Sequence, residues 1–352
     1  MYYGVYLPIF LPFLAISILG LLNLFILNQT LFYYQLVFFC VAVVMYLLSA
    51  FFPFYLYKKL ASVLYILNIL LLLLVFVLGE ITRGSTRWIS LGNVNIQPSE
   101  FIKLTLILIL AYLFSTKVTK YISIKNIISG LLVFVPAFLL VFLQPDLGTS
   151  LVLVAIFTVL TFYSGVKIKY IFIIFLLLSI SSGPIWSNLK DYQKDRVISF
   201  INPSLDPLGA GYNAIQAQIA IGSGGLKGKG LGEGTQSRLG FLPENNTDFA
   251  FAAYSEEWGT FGSLLLIIFY FIIIFSQLLL LKSTKNYFSK YVILGVTVVF
   301  FVHIFVNIGM NLGLVPVTGI PLPFFSYGGS AFLALSIMLG VVNSVAKSND
   351  LI

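Results

Sequence analysis

The feature that most constrains this chain is a series of apolar runs, each close to the length of a bilayer crossing. Ten stand out: Leu7–Leu27, Tyr34–Phe52, Ala61–Leu78, Phe101–Phe114, Ile127–Leu143, Thr149–Tyr163, Tyr170–Ile185, Phe261–Leu281, Val292–Gly309 and Ala331–Val345. A helix needs ~20 apolar residues to cross the hydrocarbon core, so the shorter runs must borrow from their flanks. Charge is correspondingly scarce, at 9% of residues, against about 25% in a soluble domain. The pattern predicts an all-α, polytopic membrane protein with ten transmembrane helices, one integral domain over residues 1–352. The first run has no basic leader and no small-residue cleavage site, and reads as a retained span and not a signal peptide.

Charge sets the expected orientation. With ten alternating spans, one side receives Lys58, Lys59, Lys117, Lys120, Lys125, Lys167, Lys169, Lys282, Lys285, Lys290 and Lys347. These are 11 of the 20 basic residues, and the only acid beside them is Asp350. Lysine-rich short loops stay in the cytoplasm. Both termini are therefore expected inside, in a bacterial cytoplasmic membrane, and the remaining acids outside. The net charge of +8 is mostly this topological signal and not a nucleic-acid footprint.

Four segments on the outer side are too polar or irregular for plain connectors: "GEITRGSTRWISLGNVNIQPSE", "QPDLGTS", a stretch of about sixty residues over 187–248 (between the seventh and eighth spans), and "GLVPVTGIPLPFFSYGGS". Long loops of this kind are usually functional. Inside the third, "YNAIQAQIAIGSGG" alternates as a surface-lying amphipathic helix does. The fourth carries Pro316, Pro321 and Pro323 with four glycines, which rules out a regular helix and predicts a loop folded back over the outer mouth.

Several chemistries are excluded by residue type. One cysteine, Cys40, allows neither an internal disulfide nor a thiolate cluster, and the single histidine, His303, rules out H-E-x-x-H zinc sites. The glycine run "GSGGLKGKGLGEGTQSRLG" fails as a phosphate loop. Ser223 stands where the first glycine of G-x-x-x-x-G-K-[ST] belongs, and Gly230 where its Ser or Thr belongs. Only a loop whose N–H groups can approach an anion is left.

The candidates for chemistry are acids and cations near the membrane face. Asp248 lies at a polar-to-apolar switch, where it either caps the next helix or serves as a functional intramembrane acid. That helix, if continuous from Phe249 to Leu281, would be ~49 Å long and would lift Glu256 and Glu257 above the bilayer, where solvation or pairing is their expected role. Glu100 and Lys103 sit at i and i+3 on the helix opened by "QPSE" and can meet. Gln97 belongs to the same turn. Arg83, Arg87 and Trp88 form a cationic and aromatic cluster suited to phosphate oxygens. Asp146 reads as a helix cap with a secondary claim on substrate. His303, with Asn307 one turn on, reads as an interhelical hydrogen-bond partner.

These segments together resemble the SEDS (shape, elongation, division and sporulation) family. The resemblance rests on "RWISLGNVNIQPSEFIK", "QPDLGTS", "AIGSGGLKGKGLGEGTQSRLGFLPENNTDFAFAAYSEEWG" and "TGIPLPFFSYGGS", in order across most of the chain. The wording is nearer the rod-shape elongation branch than the division branch. Ala250 and Tyr254 depart from the larger aliphatics expected there, without removing an ionisable group.

The resemblance implies ten transmembrane helices and a peptidoglycan glycosyltransferase that polymerises lipid II on the outer face. Its implied partners are a class B penicillin-binding protein that supplies transpeptidation and other elongation-complex proteins, with no nucleic acid. Asp248 matches the family's catalytic acid, and Glu100 with Lys103 its Glu/Lys pair. Gln97, Arg83, Arg87, Trp88 and Asp146 are the further candidates for substrate binding. The chemistry is consistent: a carboxylate takes the proton of an attacking sugar hydroxyl, and cations neutralise the departing lipid diphosphate. A divalent cation (Mg2+ or Mn2+) is the candidate cofactor for that diphosphate, with no ligands assigned. Two rival expectations are a flippase for the lipid-linked precursor and a non-catalytic scaffold.

Overall fold

The computed structural model describes residues 4–82, 85–91, 94–115, 124–165, 194, 199–201 and 211–348. Its helices are α1 (Leu7–Leu27), α2 (Gln29–Phe51), α3 (Phe54–Leu78), α4 (Pro98–Ser115), α5 (Ile124–Leu143), α6 (Leu147–Tyr163), α7 (Tyr212–Gly224), α8 (Thr235–Arg238), α9 (Ala250–Ser283), α10 (Tyr287–Asn311) and α11 (Gly329–Ser348). Eight of these are long and apolar enough to cross a membrane, and α6 is a shorter apolar helix. Nine of the ten expected spans fall on these nine helices. The other, Tyr170–Ile185, lies outside the described residues, as does part of the segment over 187–248.

The segment before α4 departs from an all-helical reading. It holds three short antiparallel strands in sequence order: β1 (Glu80–Thr82), β2 (Ser85–Leu91) and β3 (Val94–Ile96). The signal was present in "STRWISLGNVNI", where β-formers flank a Gly-Asn pair, a sequence signature of a short hairpin. Ser330 at the head of α11 ties this sheet to the bundle. Its hydroxyl donates to the Asn95 carbonyl at 3.0 Å and accepts the Gln97 N–H at 3.1 Å.

Within the bundle, α4 runs between α3 and α10, and α11 packs along α2. Most of α4 and α11 is buried, whereas α2, α3 and α5 turn rows of exposed Leu, Ile, Val and Phe outward. An exposed apolar face of that extent suits lipid and not water. The heads of α4, α6 and α11 meet at one end with the tail of α10. Lys58, Lys290 and Lys347 collect at the other, Lys58 over the Phe288 ring and Lys347 over Phe51.

The proline-rich segment after α10 does not cap the mouth, as expected from sequence, but re-enters the bundle. Phe324 is buried, with its ring 4.7 Å from Phe13 of α1, 5.3 Å from Phe332 of α11 and 5.7 Å from Phe300 of α10. Its φ of 62° is a left-handed conformation, costing a non-glycine residue about 1–2 kcal/mol, which this aromatic packing offsets. Irregular backbone at such depth survives only if its polar groups are satisfied by protein. Three helices do this. Asn307 of α10 donates to the Ile320 carbonyl, Tyr270 of α9 to that of Pro323, and Gln35 of α2 to that of Ser326. Gly20 of α1 contributes by having no side chain, since a Cβ there would lie 2.6 Å from the Phe325 oxygen. Pro321 and Pro323 remove two donors that would otherwise need partners.

Nor is α9 one rod. Gly259 (φ 66°, ψ −164°) breaks it into a short helix over 250–258 and a longer one over 260–283. The glycine run docks into the break, backbone on backbone. Lys229 and Gly230 donate their N–H groups to the Glu256 and Glu257 carbonyls, and Thr260 donates to Gly225. A Cβ on Gly228 would stand 2.0 Å from the Glu257 oxygen. The loop's N–H groups at 229 and 230 are thus committed to α9, and the anion-cradle expectation does not hold for them. The amphipathic helix is present as α7, packed on α9 through Ala217, Ala220 and Gly224.

Candidate active site

Asp248 stands half-buried at the end of a turn that leads into α9. The N-cap of α9 is Phe249, one residue after Asp248, and the Ala252 N–H in its first turn is taken by the Asn311 side chain at 3.1 Å. The backbone of Asp248 is held from α10: Asn307 and Asn311 donate their amides to its carbonyl at 3.2 and 3.0 Å. Its carboxylate faces the re-entrant loop at Gly319, where an added Cβ would lie 3.7 Å from Oδ2. Gly319 has φ 75°, which bars most side chains and keeps that wall open.

Glu100 and Lys103 meet as their spacing predicts, at 2.6 Å, on the first turns of α4. Lys103 is fully buried, so its charge is costly unless paired and hydrogen-bonded. A second contact was not foreseen: Lys103 Nζ lies 3.1 Å from His303 Nε2, and His303 Nδ1 lies 3.1 Å from the Pro321 carbonyl. The interhelical role expected of His303 is realised, with a particular cation and the loop as its partners.

Asp146 caps α6 by accepting the Thr149 N–H, but it is also a hub. Its carboxylate takes the Thr149 hydroxyl at 3.0 Å, the Ser99 hydroxyl at 3.0 Å and the Gln97 amide at 2.9 Å, and pairs with Arg87 at 3.6 Å. Two residues on, a Cβ at Gly148 would lie 3.0 Å from the Thr318 oxygen, so the head of α6 rests on the strand of loop that faces Asp248. Trp88 is half-buried on β2, opposite Glu80 in the β1–β2 register. Arg83 lies outside the described residues.

Glu256 is structural. It is buried and takes Lys229 at 2.6 Å, the Gln236 and Ser237 N–H groups, and the Thr235 and Ser237 hydroxyls. Glu257 is equally buried, and among the described residues both its oxygens lack a hydrogen-bond partner; the Gly232 N–H approaches without reaching bonding geometry.

The described acids do not assemble into a metal cage. Among the described residues no three of His, Cys, Asp and Glu come together, and Glu100 and Asp146 are already committed to donors. Sequence reasoning missed Ser99, Thr149 and Asn311. A signal for Asn311 existed: His303, Asn307 and Asn311 recur every four residues and so share one face of α10.

A bundle of apolar helices that gathers a carboxylate and a buried lysine around a re-entrant loop defines an integral membrane protein with a polar site at one end of its helices. The chain belongs to the FtsW/RodA/SpoVE cell cycle protein family, which it matches over residues 4–351. It is 42% identical over 291 residues to the peptidoglycan glycosyltransferase MrdB of Escherichia coli (strain K12), covering 82% of this chain and 78% of that protein. Stage V sporulation protein E of Bacillus subtilis (strain 168) is 37% identical over 281 residues, 79% and 76% of the two chains. Among solved structures, a peptidoglycan synthase complex that coordinates polymerization and crosslinking contains a chain similar at TM-score 0.84, with 29% identity and 99% of both chains covered. The rod shape determining protein RodA of Thermus thermophilus is similar at TM-score 0.75, with 27% identity, 99% of this chain and 98% of that one.

Proposed function

We propose that this chain is a peptidoglycan glycosyltransferase that polymerises lipid II at the outer face of the bacterial cytoplasmic membrane, for elongation and cell shape. The glycosyltransferase activity follows from family membership and from relatives that carry that name across most of this chain. The observation that carries the mechanism is the shared loop. Asp248 faces Gly319, and two residues on the Pro321 carbonyl is joined through His303 to Lys103. Acid and cation are thereby held at opposite sides of one short segment.

In the reaction, Asp248 takes the proton of the attacking sugar hydroxyl while that oxygen bonds to the anomeric carbon of the second glycan. The lipid diphosphate leaves with the bonding electron pair. Lys103 and Arg87 are the chain's own cations for its charge, and Gln97 and Asp146 orient Arg87 and the head of α6. A divalent cation would be carried by the diphosphate oxygens and water, as Mg2+ commonly is, with few protein ligands. The polyprenyl tail stays in the bilayer, which accounts for a site at the membrane surface. The partner is a class B penicillin-binding protein, a reading supported by the likeness to a chain of a polymerizing and crosslinking complex.

The test is direct. Purified full chain in detergent, given lipid II and its partner, should yield glycan polymer with no second compartment present. A flippase or a scaffold would leave lipid II unpolymerised.

A further inference from the structure

The buried His303 is the only histidine of the chain, and it joins two parts of the site that no other side chain connects among the described interactions. Its protonation is dictated by its neighbours. An ammonium has hydrogens and no lone pair, so Lys103 Nζ donates and Nε2 accepts. A backbone carbonyl only accepts, so Nδ1 carries the hydrogen given to Pro321. One state meets both demands, the neutral Nδ1–H tautomer. The other tautomer would lose both bonds, and an imidazolium would set N–H against N–H and charge against charge.

We propose that His303 is a positioning residue, locked as the Nδ1–H tautomer, that fixes the Lys103 ammonium to the Pro321 carbonyl so that cation and loop wall are held in one register with Asp248. The inference deepens the proposed function and rests on its assignment of Lys103 to the diphosphate. Three features support it. Pro321 has a ring-restricted φ, so its carbonyl is a stiff acceptor. The same face of α10 holds the Ile320 carbonyl through Asn307 and the Asp248 carbonyl through Asn307 and Asn311. And of the three Lys103 N–H groups, Glu100 and His303 take two, which leaves one without an acceptor among the described residues. Two fixed bonds aim the third hydrogen. A lysine held by Glu100 alone would rotate about that contact.

The single histidine makes the lock observable without any substrate. In full-length protein carrying a histidine-free tag and 15N-labelled histidine, nitrogen spectra report one imidazole. The expected result is a protonated Nδ1 and an unprotonated, hydrogen-bonded Nε2, with Lys103→Met shifting Nε2 toward its unbonded position. An Nε2–H tautomer, an imidazolium, or an Nε2 signal indifferent to Lys103→Met would overturn the proposal.

Turnover separates positioning from packing. Asn reaches only as far as Nδ1 and can keep the Pro321 bond, whereas Gln reaches as far as Nε2 and can keep the Lys103 bond. At equal folded fraction, His303→Asn should lose about tenfold or more in kcat for lipid II polymerisation, and His303→Gln clearly less. Losses that follow the thermal stability of the two variants in parallel would reduce His303 to a packing role. A wild-type protein that makes no polymer would instead sink the proposed function, while the nitrogen spectra still decide the lock.

Discussion

Asn311 holds Asp248 by its backbone. Its amide donates to the Asp248 carbonyl at 3.0 Å and to the Asn307 carbonyl at 2.8 Å, while its carbonyl oxygen accepts the Ala252 N–H at 3.1 Å. One buried side chain on α10 thus sets where α9 begins and where the acid stands. Asn311→Leu leaves the buried Ala252 N–H without its acceptor, at about 1–3 kcal/mol, and removes one of the two amides that hold the Asp248 carbonyl. The expected outcome is a large fall in melting temperature, read by thermal unfolding in detergent. Asn311→Asp should lose both donated bonds and fall nearly as far.

Asp248→Asn tests the acid itself. Asn matches Asp in size and caps helices about as well, so the change should leave the melting temperature close to wild type. Polymerisation of lipid II should drop by roughly two to four orders of magnitude, since only proton uptake is removed. Near wild-type synthesis by the folded variant would end the assignment.

Glu100→Gln removes the anion that lets Lys103 be buried. A stranded buried charge costs about 3–5 kcal/mol, so expression and stability should fall sharply. Combining it with Lys103→Met should restore folding but not polymerisation. Full recovery of activity in the double variant would make the pair purely structural.

The break in α9 depends on two glycines that touch. A Cβ at Gly259 would lie 2.2 Å from the Gly228 nitrogen, and both residues have positive φ. Gly259→Ala and Gly228→Ala should each detach the glycine run from α9. Hydrogen exchange should then speed at the Lys229, Gly230 and Thr260 amides while the far end of α9 stays protected.

Orientation is open to a labelling experiment in a Cys40→Ala background. Ser223 on α7 and Ser283 at the end of α9 are both exposed. Cysteine at Ser223 should react with an impermeant thiol reagent in sealed cells, and cysteine at Ser283 should not. Labelling of the latter would invert the proposed topology.

Much of the architecture was legible from local sequence. The apolar runs dictate spanning helices because hydrocarbon leaves backbone groups no partner but their own helix, and α1 matches its run residue for residue. Glu100 and Lys103 were readable because three residues of helix bring them together whatever surrounds them. The start of α9 just after Asp248 followed from the polarity switch that residue marks. Tertiary structure alone decided the rest. Lys103 meets His303 across 200 residues of sequence, and Asn311 meets Asp248 across 63. The proline-rich loop could have covered the mouth or entered the bundle. It enters because Asn307, His303, Tyr270 and Gln35, on three different helices, each present a donor to one of its carbonyls. No periodicity within the loop records those donors. A hydrogen bond inside a helix is set by residues three or four apart. One that lets irregular backbone lie deep in a membrane protein is set by whichever helices pack around it.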